Sequence, residues 1–116
     1  MSGQHDLHAI KEQLDAIEQE LRSLELWGGE DKRPSDSDLN SQTPFCLDTI
    51  EFHEWLEYVL IERFRIMIAA GAPLPAAMTV HTYAQEQYRG QWGVYRSLIG
   101  ALQTLDNLIT IESNQG

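Results

Sequence analysis

Apolar residues recur at three- and four-residue steps near both ends of the chain, which is the spacing of a helix with one buried stripe. The first pattern predicts a helix from about residue 5 to residue 26, with a stripe made of Leu7, Ile10, Leu14, Ile17, Leu21 and Leu24. The last pattern predicts a helix from about residue 92 to residue 111, with Tyr95, Leu98, Leu102, Leu105 and Ile109. Each stripe is narrow and needs a neighbour, either in the same chain or in a second copy.

Two more helices are predicted in the middle of the chain. A broad apolar face predicts a second helix that ends at about residue 70. The residues of this face are Phe52, Trp55, Leu56, Val59, Leu60, Ile66 and Met67. A helical wheel puts Glu51, Glu54, Glu57 and Glu62 on the opposite, solvated side. A shorter pattern predicts a third helix from about residue 79 to residue 89, with Val80, Tyr83, Ala84 and Tyr88. For the second helix we expect Asp48 and Glu51 to form a capping box, with Thr49 as the alternative cap.

These four helices predict an all-α fold, an antiparallel four-helix bundle that occupies residues 1–116 as a single domain. No segment calls for a β-strand. Residues 28–43 are polar and contain one large apolar residue, Leu39, so we interpret them as a flexible loop. Gly100 falls inside the last helix, where glycine is unfavourable, and we expect it to mark a close contact between helices.

The formal charge of -10 is concentrated in the first half of the chain. Residues 1–62 hold 15 acids and 4 bases, whereas residues 63–116 hold 3 acids and 4 bases. Such a surface repels nucleic-acid phosphates and attracts basic proteins, so we expect no direct nucleic-acid binding. The single cysteine suits a reducing compartment, and no apolar run is long enough to cross a bilayer. The expected protein is soluble and cytoplasmic, with no membrane association.

None of the usual catalytic or metal-binding patterns is complete in this chain. The four histidines lack a glutamate three residues earlier, which the carboxylate-bridged metal sites of helical bundles use. Cys46 could act as a nucleophile with His53, the nearest histidine in the sequence, as its base, but the acidic residues around Cys46 disfavour a reactive thiolate. We therefore expect no catalytic residue, no metal site and no cofactor. Arg63 falls within the apolar face of the second helix, where it either pairs with Asp106 or extends its charged end to solvent.

An ordered set of short motifs runs through the chain: Pro44-Phe45, Asp48-Thr49, Phe52, Glu54-Trp55-Leu56, Ile61, Arg63, Leu74-Pro75 and Leu105-Asp106. With this set, most of residues 7–110 resembles the YqcC family of small bacterial proteins. The resemblance implies a small helical bundle encoded near tRNA pseudouridine synthase C and sometimes given that enzyme's name. Because pseudouridine synthases resemble one another in a mixed helix-and-sheet scaffold with a basic RNA cleft, we interpret this acidic chain as an accessory protein rather than a synthase.

Our leading hypothesis is a non-catalytic protein that binds a tRNA-modifying pseudouridine synthase, possibly tRNA pseudouridine synthase C. The predicted partner-binding residues are Pro44, Phe45, Asp48, Thr49, Glu54, Trp55 and Arg63. A second hypothesis is a homodimeric structural or regulatory protein whose exposed helical stripe pairs with its twin. The third and least favoured hypothesis is an enzyme that uses Cys46 or the carboxylates of the second helix.

Overall fold

A computed structural model describes residues 5–43 and 48–110, and every regular element within these ranges is helical. The elements are α1 (Leu7–Ser23), a 3-10 turn (Glu30–Lys32), α2 (Asp36–Leu39), α3 (Phe52–Trp55), a π-helical segment (Leu56–Ile61), α4 (Glu62–Ala70), α5 (Val80–Gln87) and α6 (Trp92–Ile109). Because α3, the π segment and α4 follow one another without a break, we call them together the central helix. The predicted all-α class is confirmed, with α1, the central helix, α5 and α6 as the four helices of the bundle.

Two contacts, one from the residue His5 before α1 and one from Gln13 near its middle, show that α1 and α6 run antiparallel. The side-chain amide of Gln13 donates to the carbonyl oxygen of Ala101 at 2.9 Å. Near the start of α1, Nε2 of His5 lies 2.9 Å from the carbonyl oxygen of Ile109 at the end of α6. The residue that comes later at α1, Gln13, contacts the residue that comes earlier in α6, Ala101. The two helices therefore point in opposite directions.

The central helix also runs antiparallel to α1. Its C-terminal half contacts α1 through Arg65, which pairs with Asp15 at 2.7 Å and with Glu18 at 2.9 Å. Its π segment contacts the residues just beyond α1, where Glu57 binds the backbone of Gly28. The remaining pair, α5 and α6, is joined by residues 88–91, a connection short enough to require antiparallel neighbours.

The predicted stripes of the first and last helices form the centre of the core. The stripe residues that are completely buried are Ile10, Leu14, Ile17, Leu21, Leu98, Leu102, Leu105 and Ile109. Burying each such side chain contributes about 1.5 to 3 kcal/mol relative to leaving it exposed. Because α6 covers the stripe of α1 within the same chain, the surface on which the homodimer hypothesis depended is already occupied. Of that stripe, Leu7 stays largely exposed, at 44%.

The segment predicted as a flexible loop packs an apolar side chain against the central helix and contains two short helical turns. Its large apolar residue, Leu39, is buried with Ile50, Tyr58 and Val59 in a small cluster separate from the main core. The loop therefore has an apolar attachment of its own, and its flexibility stays a prediction.

The predicted cap of the second helix is wrong. The helix begins at Phe52, and its reciprocal capping pair is Glu51 with Glu54, whose carboxylate accepts the backbone N–H of Glu51 at 2.8 Å. Asp48 lies too far upstream for the first-turn amides, and its carboxylate instead accepts a hydrogen bond from the Ser41 hydroxyl. The alternative cap, Thr49, donates to a backbone carbonyl of α2.

The expectation for Gly100 is also wrong. A Cβ atom placed on this residue would meet no other atom within 4 Å, because Gly100 lies on the exposed side of α6. The glycine is therefore not required by helix packing. Among the described residues, no helix combines the length and apolar character needed to cross a membrane.

Candidate interaction surface

The π segment of the central helix determines which side chains face the interior. All six of its residues, from Leu56 to Ile61, are buried. In a π turn the backbone hydrogen bonds join residues five apart rather than four apart, so the turn holds one residue more than an α turn. The extra residue changes which side chains of the helix point inward and which point to solvent. The wheel that placed Glu57 on the solvated side assumed a regular α-helix. That prediction is wrong, because Glu57 is only 4% exposed.

The buried carboxylate of Glu57 binds the backbone of the loop that follows α1. Its two oxygens accept hydrogen bonds from the N–H groups of Gly28 at 2.8 Å and Gly29 at 2.7 Å. Hydrogen bonds to an ionised group are the stronger kind, and two of them compensate for removing the charge from water. The Gly28-Gly29 pair, which follows α1 in the chain, is therefore the binding partner of a carboxylate.

Both glycines are needed for this approach. A Cβ atom on Gly28 would lie 2.5 Å from the hydroxyl oxygen of Tyr58, closer than any normal contact. Gly29 has φ of 69° and ψ of -162°, a conformation that residues with side chains rarely adopt. The contact thus depends on two positions where only glycine is accommodated without strain.

Tyr58 and Glu62 extend the same attachment. The Tyr58 hydroxyl donates to the Gly29 carbonyl at 2.7 Å. Burial, followed by the negative charge of Glu57, raises the pKa of Tyr58 to about 12, so this hydroxyl stays protonated at neutral pH. Arg33 lies 5.6 Å above the Tyr58 ring and forms two hydrogen bonds with the Glu62 carboxylate, at 2.6 and 3.1 Å. We call Glu57, Tyr58 and Glu62 the loop anchor.

Beyond the loop anchor, the same loop borders a groove on the central helix. The groove has a volume of about 310 Å³ and lies between residues 39–43 and the side chains of Trp55, Val59 and Arg63. Trp55 is half-buried, and its ring stacks on Phe52 with 6.1 Å between ring centres. One face of this tryptophan therefore belongs to the core while another borders what we call the Trp55 groove.

The Arg63 side chain is exposed at this groove, which agrees with the second of its two predicted roles. Within the part of the chain that the structure describes, Arg63 forms no ion pair. The predicted pairing with Asp106 is wrong. Asp106 is 2% exposed and accepts the backbone N–H groups of Val80 at 2.9 Å and His81 at 2.7 Å, so it caps α5 from α6. Its carboxylate also lies 2.6 Å from Nδ1 of His81.

The structure brings together some of the predicted partner-binding residues. Trp55 and Arg63 share the groove, and Asp48 and Thr49 bond to the loop segment beside it. Glu54 contributes to the helix cap and borders a different, smaller cavity. The remaining two, Pro44 and Phe45, lie outside the described residues, as does Cys46.

Four acidic residues belong to the two segments that flank the Trp55 groove, α2 and residues 48–51, and we call them the acidic rim: Asp36, Asp38, Asp48 and Glu51. The hydroxyl of Thr49 donates to the backbone carbonyl of Asp38 at 2.7 Å, which brings α2 next to residues 48–51. The hydrogen bond from Ser41, and to a smaller extent that from Thr43, lowers the pKa of Asp48. The Asp48 carboxylate is therefore negatively charged at neutral pH. Sequence reasoning identified the acidity of the rim but missed the anchoring role of Glu57.

The described residues contain no group of three or more His, Cys, Asp or Glu side chains arranged to hold a metal ion. The arrangement around the Trp55 groove offers an indole face, one guanidinium and a negative rim. These are the components of a surface that recognises another molecule.

Comparison with known proteins identifies relatives of this chain. The family model DUF446, whose description reads "tRNA pseudouridine synthase C", matches residues 9–108. The uncharacterized protein YqcC of Escherichia coli is 30% identical over 105 residues, which cover 90% of this chain and 94% of that protein. The chain belongs to the YqcC family. An uncharacterized protein of Haemophilus influenzae is 26% identical over 98 residues, which cover 84% of this chain and 90% of its own length.

A solved structure and a longer relative complete the comparison. The solution NMR structure of Escherichia coli YqcC superimposes with a TM-score of 0.78 at 30% identity, and the match covers 91% of this chain and 89% of that one. The tRNA pseudouridine synthase C of Pectobacterium carotovorum is 27% identical over 82 residues. That match covers 71% of this chain but 21% of the longer protein.

Proposed function

We propose that this chain is a non-catalytic accessory protein that binds a tRNA-modifying pseudouridine synthase. The proposal rests chiefly on the longer relative, in which a segment similar to this chain makes up about a fifth of a protein named tRNA pseudouridine synthase C. Covalent linkage holds two modules at a high effective concentration, which benefits modules that act together. A separate chain that serves the same purpose has to reach its partner by binding.

The acidic rim is the part of the surface best suited to that partner. An enzyme that acts on tRNA needs a positively charged surface, because most of the affinity for nucleic acid comes from neutralising phosphates. A rim of four carboxylates on a chain with a net charge of -10 is complementary to such a surface. Complementary charge accelerates the encounter and weakens with added salt, so salt dependence is a direct signature of this mode of binding.

The described residues support a role in binding rather than in RNA chemistry. They form helices with a predominantly acidic surface, and the negative charge opposes the approach of tRNA. We expect the purified chain, incubated alone with unmodified tRNA, to form no pseudouridine. Formation of pseudouridine by the chain alone, at a rate that scales with its concentration, would contradict this part of the proposal.

The binding test uses isothermal titration calorimetry with the tRNA pseudouridine synthase C encoded in the same genome. We expect an affinity that falls as salt is raised from low to moderate concentration. Asp36→Lys in the acidic rim is expected to weaken binding about fivefold, equivalent to about 1 kcal/mol. Glu12→Lys is the matched control, because it makes the same charge change at an exposed position on α1. Equal weakening by both variants would reject the rim as the binding surface, and absence of binding by the wild-type chain would reject the partner.

A further inference from the structure

A second groove lies between α5 and α6, and none of the acidic-rim residues lines it. It has a volume of about 460 Å³ and is lined by Gln85, Trp92, Gly93, Arg96 and Ile99. Ile99 is 8% exposed and belongs to the main core, so the groove has an apolar floor. We call it the Trp92 groove.

Trp92 is held in place but left uncovered. It is 54% exposed, although the other two tryptophans of the chain are half-buried. Its indole N–H donates to the backbone carbonyl of Gln85 at 2.9 Å, which fixes the ring between the two helices. A fixed aromatic ring supplies contact area without a large entropic cost on binding, which is why tryptophan is enriched among the residues that dominate interface energetics.

Arg96 follows Trp92 by one helical turn and contributes a positive charge to the groove. Four other arginines form ion pairs with nearby carboxylates: Arg22, Arg33, Arg65 and Arg89. Within residues 5–43 and 48–110, Arg96 forms none, and its side chain is exposed. None of the described residues that line the groove carries a carboxylate. The groove therefore combines an apolar surface with a guanidinium that has no counter-charge among the described residues.

We propose that the Trp92 groove binds a segment of a protein partner that places an apolar side chain against Trp92 and Ile99 and a carboxylate on Arg96. Residues one helical turn apart are about 5 to 6 Å apart, so the two recognised groups lie close together in the partner sequence. A nucleic acid could also stack a base on the indole and place a phosphate on the guanidinium. Its remaining phosphates would then face a chain with a net charge of -10, whereas a peptide needs only one acidic group. The inference does not depend on the identity of the synthase.

Two glycines of α6 make the proposal testable without disturbing the fold. A Cβ atom on Gly93 would meet nothing within 4 Å, so a leucine there would project into the groove. Gly100 is equally open and exposed on the same helix, but it does not line the groove. Both Gly→Leu changes favour the helix intrinsically, since glycine is the poorer helix former. Gly100→Leu is therefore a matched control for Gly93→Leu.

The experiment titrates the full chain with short capped peptides and follows the indole N–H of Trp92 and the amide of Gly93 by NMR. The peptides are identical except that a leucine is followed by glutamate, glutamine or lysine. We expect the glutamate peptide to bind about tenfold more tightly than the lysine peptide. Gly93→Leu is expected to abolish the shifts, and Gly100→Leu to leave them unchanged. Arg96→Gln, which removes no described ion pair, is expected to remove the preference for glutamate over glutamine.

Several results would overturn the proposal. Equal binding of the glutamate and lysine peptides would remove the role of Arg96, and absence of binding at millimolar peptide would remove the site. Shifts produced by a short single-stranded oligonucleotide in place of the peptides would identify a nucleic-acid site. Shifts of Trp92 that depend on the concentration of the chain alone would identify a second copy as the occupant.

Discussion

Replacing Glu57 by glutamine tests whether the π segment builds a structural anchor. The substitution preserves the size of the side chain but removes its charge and one of its two acceptor oxygens. At the folded geometry, the N–H groups of Gly28 and Gly29 each bond to a different oxygen of Glu57. The glutamine amide can satisfy one of these donors and must present its own N–H₂ group to the other.

The expected cost follows from these contacts. Loss of one hydrogen bond to a charged group costs about 1.5 to 3 kcal/mol, and an unsatisfied donor at a buried site adds to this cost. A smaller desolvation cost offsets part of the loss, since the neutral glutamine side chain is less costly to bury than the glutamate carboxylate. We therefore expect Glu57→Gln to lower the free energy of unfolding by about 2 kcal/mol.

The assay is urea unfolding followed by far-ultraviolet circular dichroism, with hydrogen exchange as a local readout. Glu62→Gln is the comparison variant, because it removes the same charge on the same helix at the solvent-exposed member of the loop anchor, the ion pair with Arg33. Such pairs contribute about 0 to 1 kcal/mol. Faster exchange of the Gly28 and Gly29 amides is expected in Glu57→Gln. An unchanged free energy of unfolding together with unchanged exchange at these two amides would refute the anchoring role.

Three further predictions concern other parts of the fold. Burial raises the pKa of Glu18, but hydrogen bonds from Arg22 and Arg65 outweigh it and lower the pKa below 4.5. The stability that this shift contributes is present above pH 4.5 and is lost as the pH falls through the folded-state pKa. In urea unfolding, the free energy of unfolding of Glu18→Gln should therefore fall less steeply below pH 4.5 than that of the wild-type chain. Gly29→Ala should destabilise the fold by about 1 to 3 kcal/mol because of its backbone conformation, whereas Gly93→Ala should be neutral or stabilising; equal melting temperatures would contradict this. Asp106→Asn, which weakens the cap of α5, should lower the free energy of unfolding in urea by about 2 to 4 kcal/mol. Thr110→Val, which removes the hydrogen bonds between the Thr110 hydroxyl and the backbone of Met78, should lower it by about 1 kcal/mol, and equal costs would argue against a dominant cap.

The parts of the fold that depend on regular helical periodicity could be predicted from the sequence. The stripes of α1 and α6 follow three- and four-residue steps, and the structure buries them as predicted. The extent of the central helix was also predictable, because Gly71 adopts the left-handed conformation that ends it. These features are local or depend on one repeated spacing, so a single chain contains enough information to identify them.

The features that could not be predicted depend on irregular geometry or on contacts distant in sequence. Glu57 was assigned to solvent because a regular wheel does not include the extra residue of a π turn. Asp106 appeared free to pair with Arg63 because no sequence pattern shows that its carboxylate caps α5 across the bundle. The Gly28-Gly29 pair was the available signal for the anchor, since two adjacent glycines also suit a close approach to another group.

The sequence did not predict the Trp55 groove. Trp55 and Arg63 were among the predicted partner-binding residues, and both lie at the groove. The loop that forms its other wall had no usable periodicity, so the position of Leu39 and the bonds of Asp48 and Thr49 came only from the structure. Acidity along residues 36–51 was visible in the sequence, but its arrangement as a rim was not.

Sedimentation velocity of a mixture of this chain with the tRNA pseudouridine synthase C of the same genome tests the central claim most directly. The account predicts a complex that sediments faster than either protein alone and dissociates as the salt concentration is raised. Two boundaries that match those of the separate proteins at low salt, at concentrations of both proteins in the tens of micromolar, would contradict it.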